Sequence, residues 1–109
     1  MKFWLIFKNM ETKHTPGPWV VRKERELNEY DVQEIYIDTV NGPTSIASVW
    51  NPDRENEESE SEYDAKLIAA APDLLAALQR FIKFVDAQKL EYESSMIRQA
   101  KKAIKKATT

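Results

Sequence analysis

The chain has 109 residues, 42% of them hydrophobic and 31% charged, which is the balance of a folded protein about one small domain long. It has no cysteine, so disulfides, thiolate catalysis and Cys-ligated zinc are excluded, and the composition suits a reducing cytoplasm. The formal net charge of −2 supplies no global basic field and argues against a nucleic-acid partner.

Residues 1–12 read as an extension to a single α+β domain over 13–109. Its apolar run, Phe3 to Phe7, is shorter than the roughly 7–15 residues of a signal-peptide core and the roughly 20 of a membrane span. No membrane partner is therefore expected. The run suits a strand that pairs with a sheet edge or with another subunit. Met10 opens "METKHTPGPW", so Met1 and Met10 both stand as candidate starts.

Thr15-Pro16-Gly17-Pro18 predicts a type II turn, with proline second and glycine third. Trp19-Val20-Val21 then begins a strand, and 23–29 is a polar connection. Val32 to Val40 alternates, with Ile35, Ile37 and Thr39 on one side and Glu34, Tyr36 and Asp38 on the other; period two with β-branched residues predicts a strand with one wet face. Asn41-Gly42 predicts a hairpin, and Ile46 to Trp50 is the return strand, closed by Asn51-Pro52.

The segment 53–64 holds seven acids and one Arg. It reads as a solvated loop running into a helix N-terminus, where acids suit the dipole; it lacks the glycine and spacing of a calcium loop. From Ala65 the sequence is helical through Pro72. Either one kinked helix forms, or a short helix over Ser61 to Ala70 precedes a second that starts near Pro72. Leu74, Leu75, Leu78, Phe81, Ile82 and Val85 form an apolar stripe at helical spacing. A last helix, Ser94 to Lys106, turns Met96, Ile97, Ala100 and Ile104 inward and Lys101, Lys102, Lys105 and Lys106 outward. The expected fold is α+β: a three-stranded antiparallel β-meander, four-stranded if the N-terminal run adds an edge, followed by two or three C-terminal helices packed on one face.

No nucleophile motif, metal triad or Gly-rich phosphate loop is present, so no catalytic residue, metal or cofactor is assigned and an enzyme is not expected. The residues that could hold a small ligand are His14, Thr15, Trp19, Arg22, Tyr36, Lys66 and Pro72. His14 could accept or donate a proton, Trp19 could stack a base, and Arg22 could pair with a phosphate. The plainer readings are a histidine that fixes a terminus, a Trp that plugs the core and a solvated Arg. Glu55, Glu57, Glu58 and Glu60 could face a basic partner as a nucleic-acid mimic.

"KHTPGPW", followed by "SIASVW" and "DAKLIAAAPDLLAAL", resembles a family of short phage and prophage proteins. In the family pattern an Asn opens the last motif; here Asp64 stands in its place, ahead of Ala65, Lys66, Leu67 to Pro72, Asp73, Leu74 and Leu75. The resemblance covers most of Met10 to Thr108. It implies an accessory protein of a phage, working in the cytoplasm of a bacterial host by binding, as a homo-oligomer, in counter-defence or host takeover. Two mechanisms fit that setting. One sequesters a small nucleotide-type immune signal in an inter-subunit pocket. The other blocks a host defence protein through the acidic 53–64 segment. A small DNA- or RNA-binding module using the C-terminal lysines is a third reading.

Overall fold

The computed structural model describes residues 13–40, 44–89 and 93–109. Three strands and two helices follow in order: β1 Trp19–Lys23, β2 Gln33–Thr39, β3 Ser45–Asn51, α1 Glu60–Ala87 and α2 Ser95–Thr108. The strands form an antiparallel sheet in the order β1-β2-β3. This is the expected α+β arrangement, a three-stranded meander followed by two helices. The fourth strand and the Asn41-Gly42 turn fall outside the described residues. Thr15–Asp73 forms one compact unit and Leu74–Thr109 belongs to a second, with α1 contributing to both.

The strand alternation decides what the first unit buries. Ile35 and Ile37 of β2 are fully buried and pack with Ala65 of α1; Trp19, Val21, Ile46, Ala47, Val49, Ile68 and Ala69 surround them. Fully burying an Ile side chain contributes about 1.5–3 kcal/mol. Between β2 and β3 the register passes from Ile37↔Ala47 to Asp38↔Ser45, which leaves Ile46 as an extra residue. That β-bulge lets the consecutive Ile46 and Ala47 both reach the core, which plain alternation forbids.

A buried polar chain fixes the far end of the sheet to the start of α1. Gln33 Nε2 donates to the Glu24 carbonyl at 3.0 Å, and Asn51 Nδ2 donates to Gln33 Oε1 at 3.0 Å. Ser59 Oγ donates to Asn51 Oδ1 at 3.2 Å and accepts from the Glu62 amide at 3.3 Å, which caps the helix. The Ser59-x-x-Glu62 spacing is that of a capping box. The Glu62 carboxylate, though, is buried and pairs with Lys23 Nζ of β1 at 2.9 Å, while the Ser59 amide donates to the Asn56 carbonyl. Glu62 is thus not part of a solvated acidic run.

The turn ahead of β1 is not type II. Such a turn needs positive φ at its third residue, and Gly17 does not adopt it; the Gly17–Pro18 peptide is cis. The missing side chain matters for another reason. A Cβ on Gly17 would lie 3.0 Å from Pro72 Cβ and 3.3 Å from Pro72 Cγ. Pro72 is buried there, so the glycine of HTPGPW seats the proline of AAAP. Of the two readings of the 60–87 region, the single helix forms, with Pro72 inside it.

In the second unit, Ile82 is buried and Leu75, Leu78 and Val85 are partly buried, at helical spacing. Leu74 and Phe81 do not join them; both are more than half exposed. The six-residue stripe is wider than the face the helix buries. At the end of α1, Lys89 takes φ 51, and the Gln88 and Lys89 amides donate to the Val85 and Asp86 carbonyls, closing the last turn. Ser94 caps α2, its Oγ accepting from the Ile97 amide at 3.2 Å. Ile104 is buried as expected, but Met96 is 75% exposed, because it lies in the first turn away from the Ile97–Ala100–Ile104 side. Lys101 does not simply face water: its ammonium meets Asp86 at 3.0 Å and Glu93 at 3.5 Å.

The Gly17 contact is open to test. Gly17→Ala is expected to lower stability by about 1–2 kcal/mol through overpacking against Pro72, measured by urea unfolding. Because Gly17 has no positive φ, the backbone imposes no cost of its own on alanine. In a Pro72→Gly background, which removes both Pro72 atoms the new Cβ would meet, Gly17→Ala should cost much less.

Candidate functional site

Sheet pairing sorts the candidate residues onto opposite faces. In β1, Trp19 and Val21 face the core, so Val20 and Arg22 face outward. Across the strands the outward residues line up: Val20 with Asp38 and Ser45, Arg22 with Tyr36 and Ser48, and Glu34 with Trp50. Arg22 and Tyr36 therefore share the outer face. Trp19 and Pro72 lie on the covered side, where the Trp19 indole Nε1 donates to the Pro16 carbonyl at 3.3 Å. The core-plug reading of Trp19 is the one that its packing supports.

Of the remaining candidates, His14 is half-buried and Thr15 is exposed. Lys66 is exposed, with its ammonium 5.1 Å from the Tyr63 ring centroid on the same helix. Glu55, Glu57, Glu58 and Glu60 are all exposed, in the loop and first helical residue after β3. Asn51 and Asn56 shape that loop by accepting from the Asp53 and Glu58 amides.

The outer face carries a connected set of charges and rings. Arg22 Nε donates to Asp38 Oδ2 at 2.6 Å and Arg22 Nη1 to Glu24 Oε1 at 2.9 Å, while its guanidinium lies 4.5 Å from the Tyr36 ring centroid. Ser45 Oγ donates to the other Asp38 oxygen at 2.8 Å. The Tyr36 hydroxyl donates to Glu34, which also accepts from Asn28 Nδ2 at 3.3 Å. At the end of this row the Tyr30 and Trp50 rings meet at 5.4 Å between centroids, tilted by 33°. Tyr30 is 63% and Trp50 50% exposed, so their apolar faces remain open to a partner.

These contacts hold the acids ionised. The Arg22 guanidinium, with help from Ser45, holds the Asp38 carboxyl below its ordinary value. The Tyr36 hydroxyl, with Asn28, does the same for Glu34, and Glu34 in turn raises the Tyr36 phenol. Neither carboxylate is poised as a neutral acid, and Tyr36 is not activated as a base.

The electrostatics are far from neutral locally. Thr15–Asp73 holds fourteen acids against five bases, whereas Leu74–Thr109 holds three acids against eight bases. The chain's small net charge conceals two stretches of opposite sign. The sheet unit is the acidic one; within it Ser61 Oγ of α1 donates to the Trp50 carbonyl and Arg54 Nη1 to the Arg25 carbonyl.

Glu34, Tyr36 and Asp38 share one wet face, as their alternation predicts. Tyr30 follows the polar connection of 23–29, where no local pattern marks it. Nothing in sequence spacing brings Tyr30 to Trp50. The Asn28 side chain does so, accepting from the amides of Tyr30 and Val32 to fold the 28–32 loop.

A family model described as Salmonella phage P22 protein Y8K6 matches residues 10–109. No curated protein and no solved structure matches the chain. The phage origin implied by the HTPGPW and LIAAAPDLL stretches agrees with this match. Among the described residues, no helix is long and apolar enough to cross a membrane, and no group of three or more His, Asp or Glu could hold a metal ion.

The acid limb of the stability curve reports on this face. Because Asp38 and Glu34 titrate lower in the folded state, their contribution is full above the ordinary carboxylate range and is lost as pH falls through it. Asp38→Asn is expected to lessen the fall in melting temperature between about pH 5 and pH 2. A melt series over that range checks it.

Proposed function

The chain belongs to the Salmonella phage P22 protein Y8K6 family, and from that premise we propose that it is an accessory protein acting by binding, without catalysis, on a basic protein of the host cell. The observation that carries this reading is the exposed Tyr30–Trp50 pair beside Glu34, on a unit with fourteen acids and five bases. An Arg or Lys from a partner can stack on such a ring pair and reach a carboxylate at its edge; cation–π contacts contribute about 0.5–2 kcal/mol. The exposed Glu55, Glu57, Glu58 and Glu60 extend the same field. They would draw a basic partner in quickly and make its binding salt-sensitive. The role in the cell is host takeover or counter-defence, by occupying a surface the partner uses for nucleic acid.

Sequestration of a nucleotide-type signal finds less support in this geometry. Arg22, the cation expected to hold a phosphate, is already paired with Asp38 and Glu24. It also lies on the opposite side of the sheet from Trp19, and the surrounding acids repel phosphates.

Two variants test the proposal against a host lysate in affinity capture. The quadruple change Glu55→Gln, Glu57→Gln, Glu58→Gln and Glu60→Gln and the single change Trp50→Ala should each release a basic partner that the unchanged protein retains, and raising salt should elute it. Capture that survives both variants would overturn this reading. A nucleotide that raises the melting temperature would favour sequestration in its place.

A further inference from the structure

The second unit carries an unpaired apolar seam. Leu74, Phe81 and Phe84 of α1 are 54%, 55% and 63% exposed, and Ala77 between them is exposed too. Their spacing is seven and three: Leu74 and Phe81 stand at one heptad position, Ala77 and Phe84 at the other. At about 100° per residue they fall within one stripe. That stripe adjoins the face formed by Leu75, Leu78, Ile82 and Val85, and is not the same face. Large aromatic and aliphatic side chains at strict heptad spacing are the signature of a helix that packs on another helix.

We infer that this seam pairs with the same seam of a second copy, the two α1 helices running antiparallel about a two-fold axis. Self-complementarity supports that occupant. A two-fold interface brings one patch against itself, so its charges must pair with each other. Asp73 and Arg80 are exposed, seven residues apart, each immediately before a seam residue. Antiparallel pairing that sets Leu74 against the partner copy's Ala77 places Asp73 of each copy beside Arg80 of the other, on both sides of the axis, and sets Phe81 and Phe84 opposite Ala70 and Leu67, which continue the stripe one heptad before Ala77 and Leu74. It also sets a large side chain against a small one at the centre, as close helix packing favours. A parallel pair would leave both charges facing apolar residues, Leu78 and Val85. This pairing involves none of the residues of the proposed binding face and stands or falls without it.

Sedimentation equilibrium of the full chain tests it, on the unchanged protein and four variants. The unchanged protein should dimerise, and Phe81→Glu should be monomeric with an unaltered far-UV circular dichroism spectrum. Asp73→Arg and Arg80→Asp should each weaken the dimer about tenfold, and the two together should restore it, because the reversed pair is again complementary. A protein that stays monomeric at high concentration would overturn the inference, as would a folded Phe81→Glu dimer. If Phe81→Glu does not fold, the charge reversals decide: weakening that the double variant fails to rescue, or no weakening at all, also overturns it.

Discussion

A small sheet is stable only when its apolar side is covered, and the first half of α1 laid across one side of this one is what every other feature depends on. Ala65 presents almost no side chain, so the helix comes close enough to cover Ile35 and Ile37 completely. Covering one side leaves the other wet. The strand alternation then sorts the chain's chemistry without further instruction. Trp19 goes to the core, and Arg22, Glu34, Tyr36, Asp38 and Trp50 go to the open face. The open face of the sheet is thus the side stiffened by ion pairs among Arg22, Glu24 and Asp38.

Two devices hold the helix in register. At one end, Asn51 links the last strand to Gln33 and to the Ser59 cap, and Lys23 neutralises the buried Glu62. All of these polar groups find partners, which is the condition for burying them. At the other end, Gly17 admits Pro72. Gly17 and Pro72, one from each of two segments far apart in the sequence, therefore meet in space. HTPGPW and LIAAAPD read as separate motifs in the sequence, yet they form the two sides of one joint. Their contact gives both a structural part in seating the helix on the sheet.

Much of the fold was legible because it rests on local rules. The Val32–Val40 alternation, the Asn51-Pro52 stop and the serine ahead of the last helix each have a short-range cause. What was not legible depends on contacts distant in sequence. The Ile46 bulge breaks alternation by one residue, and only the pairing shows it. Leu74, Phe81 and Met96 match the helical period, but periodicity does not say how wide a face the neighbours cover. Glu62 sits in an acidic run, and only the fold brings Lys23 to it. On the open face, Tyr36 was legible from the strand alternation, and the exposure of the acids of 53–60 from their composition. The grouping of Trp19 and Pro72 with Arg22 was not realised, since residues three apart on a strand point to opposite sides. The charge segregation was present in the sequence throughout, hidden by summing over the whole chain.

The central claim is that the open face of the sheet, ending at Tyr30 and Trp50, is the working surface. Titrating the isotope-labelled protein with an arginine-rich peptide, and following the assigned indole N–H signals by NMR, tests it most directly. The account predicts that the Trp50 signal shifts, together with the Glu34 and Tyr30 amides, and that the Trp19 signal stays in place. A shift at Trp19 with Trp50 unmoved, or no shift at either, would contradict it.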